Sequence, residues 1–166
     1  MTIPSILGIL AAIAVASGPP TTSRSLQSVA NAASMARTEE EKAVLQAIAL
    51  YLSCFERKDV PCILSNTTRE GHITAITRSN SMVTFGWPTY ADSVQSMTRR
   101  DAAQILSNVS VDVRTDLAAT SSDYFMDSRG EVGRCGAISF VLLRRGGTWL
   151  VHDVVEIDDP TKCPKK

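Results

Sequence analysis

The sequence has no surplus of charge of either sign: 17 Lys and Arg stand against 17 Asp and Glu, for a formal charge of zero. Binding to nucleic acid or to an anionic membrane surface draws on a basic surplus that displaces counterions, so neither is an expected partner. Histidine is scarce, with two in 166 residues, and the four cysteines include no C-x₂-C pair. A structural zinc site needs such close pairs, so neither a metal nor another cofactor is expected. There is no G-x-S-x-G elbow for a nucleophilic serine. Gly130, Gly133, Gly146 and Gly147 all flank or occupy turns, and none opens a helix as a phosphate loop requires. Internal repeats and low-complexity segments are absent. What is present, 44% hydrophobic and 20% charged residues, describes a globular chain of one-domain length.

Charge is missing from one place in particular, because no charged side chain occurs before Arg24. Ile6 to Ala16 is an apolar run of eleven residues followed by Ser17-Gly18-Pro19-Pro20. A bilayer span needs about 20 residues, so the run is too short to cross and fits the apolar core of a signal peptide. Ala14-Val15-Ala16 places small residues at both recognition positions, so residues 1–16 are read as a signal cut after Ala16, although Met1 to Ser5 carries no Lys or Arg. Residues 17–37, rich in Ser, Ala, Thr and Pro, are read as a linker. A secreted or periplasmic location follows, with no membrane contact beyond the signal segment.

Within 38–157 the patterning gives both periods. Thr38 with Glu41 three residues on is a capping box, and Val44, Ile48, Tyr51, Leu52 and Phe55 follow at helical spacing. Asp59-Val60-Pro61 predicts a second, short helix. His72 to Arg78 and Met82 to Phe85 read as strands, Trp87-Pro88 as a break, and Thr89 as the cap of a third helix. From Ser107 the period is two: Val109, Val111 and Val113 alternate with polar residues, and Leu117 to Met126 is a weaker strand. Gly133 to Arg144 and Thr148 to Ile157 form a hairpin through Gly146-Gly147. Residues 158–166 read as a mobile tail. The fold class is α+β, a curved antiparallel sheet wrapped around three N-terminal helices, with a conical cavity between them.

Three features carry a resemblance: Tyr51 to Asp59 at the end of the capped helix, the short helix after Asp59, and Gly146 to Asp153 in the last hairpin. They resemble the nuclear transport factor 2-like superfamily, in particular its SnoaL-like and ketosteroid-isomerase-like members. The resemblance implies a cone-shaped α+β barrel, dimers packed through the sheet, and functions from isomerase to plain ligand or partner binding. It places Tyr51 where isomerases carry an oxyanion-stabilising Tyr. It places their catalytic base at Ala75 or Ile76 and their second donor at Phe140, none of which titrates, and no Asp or Glu lies between Gly71 and Ser81.

The residues expected to line the cavity are Tyr51, Phe55, Trp87, Tyr90, Phe140 and His152, with Tyr51, His72 and His152 as candidates for any chemistry. His152 and Asp153 are neighbours on a strand and point to opposite faces, so only one of them can face the cavity. Exported cysteines pair. Of three connectivities, Cys54 with Cys62 bridges a helix end to the next helix start, and Cys135 with Cys163 ties the tail to a strand. The favoured function is binding of a small apolar or amphipathic ligand without isomerase chemistry. The alternatives are a SnoaL-like or dehydratase-like enzyme and a dimeric assembly module of the cell envelope.

Overall fold

The computed structural model describes residues 24–34, 38–97, 102–128 and 131–164. The expected signal segment 1–16, and the cut after Ala16, lie outside these residues. Among the described residues, four helices, α1 (Arg24–Ser34), α2 (Glu39–Glu56), α3 (Val60–Ser65) and α4 (Trp87–Ser96), accompany six strands: β1 (His72–Ile76), β2 (Met82–Gly86), β3 (Ala102–Arg114), β4 (Leu117–Ser128), β5 (Glu131–Arg145) and β6 (Thr148–Asp158).

Local chemistry starts and stops these elements as expected. Thr38 Oγ1 accepts from the Glu41 N–H at 3.1 Å while the Thr38 N–H donates to Glu41 Oε2 at 3.1 Å, closing the capping box of α2. The Asp59 side chain accepts from the Cys62 N–H and caps α3. Gly146 and Gly147, at φ 57° and 82°, make the two-residue turn of the β5–β6 hairpin, a conformation that costs any other residue strain. The third helix starts earlier than expected, at Trp87 rather than after Thr89, because Pro88 falls in its first turn, where a missing N–H costs nothing.

The sheet runs in the order β2-β1-β6-β5-β4-β3, and each neighbouring pair is antiparallel except β1 with β6. That parallel pair is the one departure from the expected antiparallel sheet. The chain leaving α3 causes it: the Val151 N–H donates to the Asn66 carbonyl and the Thr68 N–H to the Val151 carbonyl, so the segment enters β1 already running alongside β6. Gly71 allows this approach, since a Cβ there would stand 1.7 Å from the His152 carbonyl oxygen.

Helices cover the concave side. Val44, Leu45, Ile48, Tyr51, Leu52 and Phe55 of α2 are buried against Ile138, Phe140, Leu142, Trp149, Val151 and Val154 of β5 and β6. Part of the segment read as a linker is folded: α1 buries Val29, its Ser28 Oγ accepts from the Leu106 N–H, and Arg24 pairs with Asp127. Its apolar residues lie on one helical face, which is enough to dock a short helix. The tail is also fixed rather than mobile through Cys163. A 3-10 turn at Pro160–Lys162 follows β6, and Cys163 is bonded to Cys135 with Cα atoms 5.1 Å apart. Cys54 is bonded to Cys62 at 5.5 Å, so both expected pairings are present.

Candidate functional site

The inner face of β6 begins with buried Trp149 and Val151 and continues with buried Val154. Strict alternation would forbid that sequence of odd, odd and even positions. A bulge supplies the extra residue: Val141 of β5 faces Asp153 while Leu142 faces Val151, leaving His152 without a partner. Beyond the bulge alternation resumes, and Glu156 and Asp158 follow Val154 on the concave side with side chains only 12% and 11% exposed.

These two carboxylates anchor a polar cluster that crosses four strands. Gln104 of β3, itself buried, donates from Nε2 to Glu156 Oε1 at 2.9 Å. The Tyr124 hydroxyl of β4 and Arg134 Nε of β5 both donate to Asp158 Oδ1, at 3.1 and 2.9 Å. Arg134 Nη2 stands 3.8 Å from Glu156 Oε2. From the helices, the buried Tyr51 of α2 and Tyr90 of α4 influence each other's ionisation and feel the Glu156 charge. Burial pushes the Glu156 carboxyl above the usual carboxylate range, against the hydrogen bond from Gln104 and the charge of Arg134. Burial, and then the neighbouring charge, raise Tyr51 well above its ordinary value, and Tyr90 likewise, so both stay neutral hydroxyls at physiological pH. The cluster grades outward from these tyrosines to Arg134, whose side chain is 42% exposed and marks its open side.

The expected site residues divide into two groups. Tyr51, Phe55, Trp87, Tyr90 and Phe140 do converge: Tyr51 sits edge-on to Trp87 at 5.6 Å and to Phe140 at 6.1 Å, and Tyr90 stacks on Phe55 at 6.5 Å. Their rings fill much of the space between helices and sheet, so this part of the cone is packed core. His152 does not join them. Its Nδ1 lies 2.7 Å from Thr68 Oγ1, and its Nε2 is 3.8 Å from Asp153 Oδ2, a proximity the bulge permits although the two residues are neighbours on a strand. His72 approaches the same carboxylate, with Nδ1 at 3.7 Å and its backbone N–H donating at 2.8 Å. The two histidines thus meet around Asp153 at the rim, away from Glu156.

The expectation that the interior lacks a carboxylate is corrected by Glu156. In the parallel β1–β6 register its partner is Ala75, the position at which the resemblance places a base. The acid is supplied by the adjacent strand instead. Gln104, Arg134 and Asp158 form no local motif either, because they sit on strands far apart in sequence.

No family model and no curated relative matches the chain. Solved structures do. A protein of unknown function with a cystatin-like fold from Nostoc punctiforme aligns with a TM-score of 0.62 at 16% identity, over 75% of this chain and 95% of that one. An NTF2-like protein with a cystatin-like fold from Novosphingobium aromaticivorans aligns at 0.57 and 19%, over 79% and 90%. The fold is NTF2-like. A ketosteroid isomerase-like protein from Erwinia carotovora shares it, with a TM-score of 0.53 and 20% identity over 73% of this chain and 97% of that one. Identities this low carry architecture and no activity, since NTF2-like chains that share a fold differ in their sites.

Two other concavities lie away from the polar cluster. A groove of about 560 Å³ runs between α1 and α2, lined by Leu26, Val29, Ala33, Leu45, Ala49 and Leu50 among others. A smaller hollow of about 240 Å³ lies against His72, Thr74, Thr84 and Asp153.

Proposed function

We propose that the protein is an exported domain that binds a small amphipathic molecule, with the polar end of the ligand at Glu156 and the Tyr51 and Tyr90 hydroxyls. One observation carries this reading. Glu156 is a nearly buried carboxylate whose Oε1 is held by Gln104, while Oε2 has no hydrogen bond among the described residues. That oxygen is not sealed off, so it is free to accept a hydrogen bond from a ligand donor without breaking an internal one. The two disulfides support an extracellular or periplasmic location, where such bonds persist.

A second reading, acid–base catalysis on the bound molecule, is favoured by the raised proton affinity of Glu156. A carboxyl held above its usual range by burial, beside neutral tyrosine donors, has the properties of a general acid or base. A thermal-shift panel of amines, alcohols, ketones and carboxylates with matched apolar bodies, run on wild type and Glu156→Gln, tests both. Ligand-dependent stabilisation that the substitution removes supports the site. Stabilisation that survives Glu156→Gln puts the ligand elsewhere, and turnover of a stabilising compound by wild type alone selects the catalytic reading.

A further inference from the structure

The strand β2 forms one edge of the sheet, and its residues Met82, Val83, Thr84 and Phe85 are all exposed. Edge strands of stable monomers are blunted by charge, proline or a bulge, because unpaired N–H and C=O groups template further pairing. This edge has none of the three. No charged residue occurs between Arg78 and Asp92, and β2 pairs with β1 over five residues without a register shift.

The hydrogen-bond phase of the hairpin says which groups face outward. The Thr77 N–H donates to the Ser81 carbonyl at 2.9 Å, and the register places these two residues opposite each other. Hydrogen-bonded pairs alternate from there, so Val83 and Phe85 bond to β1, while the backbone groups of Met82 and Thr84 and the N–H of Gly86 point away from the sheet.

We propose that a second copy of this chain pairs along that edge, β2 against β2, antiparallel about a two-fold axis at Thr84. The outward groups fix the register: Thr84 opposes Thr84 and Met82 opposes Gly86 as hydrogen-bonded pairs. Val83 then faces Phe85 twice in the closer non-hydrogen-bonded pairs, covering side chains that are 40% and 36% exposed. A second copy fits better than an unrelated peptide because the strand is self-complementary: both apolar pairs form and no like charges meet. The convex sheet face is a poorer contact surface. Across all six strands one row reads Thr84, Thr74, Val155, Ser139, Ser121 and Ser110, with hydroxyls already bonded between Thr74 and Thr84 at 2.9 Å and between Ser110 and Ser121 at 2.7 Å. Five-residue pairing buries little area, so the dimer is weak and concentration-dependent.

The test is disulfide trapping combined with sedimentation equilibrium on the exported, oxidised protein. Opposed residues of a hydrogen-bonded antiparallel pair have Cα atoms about 5.5 Å apart, within disulfide range, so Thr84→Cys forms a covalent dimer under mild oxidation. Ser139→Cys, equally exposed but on the convex face, reports face packing. Thr84→Pro removes an outward N–H without touching the β1 ladder, and should weaken self-association at least tenfold with an unchanged far-ultraviolet spectrum. Val83→Lys serves if the proline variant misfolds, and should do the same by setting a charge against Phe85. Trapping at Ser139 that is as fast as at Thr84, an association constant unaffected by these substitutions, or a monomer at millimolar concentration overturns the proposal.

Discussion

Replacing Glu156 by Gln should make the protein more stable at pH 8 and leave it nearly unchanged at pH 4. Burial raises the proton affinity of this carboxyl in the folded chain above its unfolded value. Between the two values the folded state binds more protons than the unfolded one, so stability contributed by the protonated group is fully present below the unfolded value and is lost as pH rises through the folded one. Gln keeps the shape and the bond from Gln104 but cannot ionise. At high pH the wild-type carboxylate receives one charged hydrogen bond at 2.9 Å, worth about 1.5–3 kcal/mol. Arg134 adds little at 3.8 Å, because its side chain is 42% exposed and is shared with Asp158, so screening leaves about 0–1 kcal/mol. Against these stands a desolvation cost of several kcal/mol for a buried charge. The balance favours the variant by about 1–3 kcal/mol at pH 8. Urea titrations of both proteins from pH 4 to 8 measure it, and the difference between them cancels every other titrating group. A variant less stable than wild type at pH 8, with the gap widening as pH rises, would show that the cluster stabilises the ionised form and refute the reasoning.

Other substitutions probe the scaffold. Thr38→Ala removes the hydroxyl that accepts from the Glu41 N–H, leaving the backbone half of the capping box, and should cost about 1 kcal/mol, read as a lower thermal midpoint with an unchanged fold. Gly71→Ala sets a Cβ 1.7 Å from the His152 carbonyl oxygen, which also accepts from Trp87 Nε1 at 2.9 Å; a loss above about 3 kcal/mol or failure to fold is expected, and wild-type stability would contradict the close packing of β1 on β6. Removing the Cys135–Cys163 bond, which spans 28 residues, should cost about 3.5 kcal/mol by loop entropy, and removing Cys54–Cys62, which spans 8, about 2.5 kcal/mol. Double serine variants compared by denaturant midpoint check the order.

Much of the scaffold was legible because its signals are local. The capping box at Thr38, the Asp59 cap and the Gly146-Gly147 turn each depend on residues within a few positions, and each appears where the sequence puts it. The α1 helix was obscured by a composition of Ser, Ala and Asn that suits a linker, and only its docking against α2 and β3 makes it pay. The interior site was obscured for a different reason. Period-two reasoning on β6 holds on either side of His152 but not across it, and a one-residue bulge leaves no mark in composition. The base expected on β1 is absent there, yet the neighbouring strand places Glu156 at the same level. Such a substitution between strands depends on register, which pairing decides and a single sequence does not display.

The central claim is that the interior cluster, not the apolar groove between α1 and α2, receives the ligand. Amide and side-chain chemical-shift mapping by NMR, with the most stabilising compound of the panel, tests it directly. Perturbations centred on Tyr51, Tyr90, Gln104 and Glu156 that vanish in Glu156→Gln are expected. Shifts centred on Leu26, Ala49 and Leu50, with the cluster silent, would contradict it.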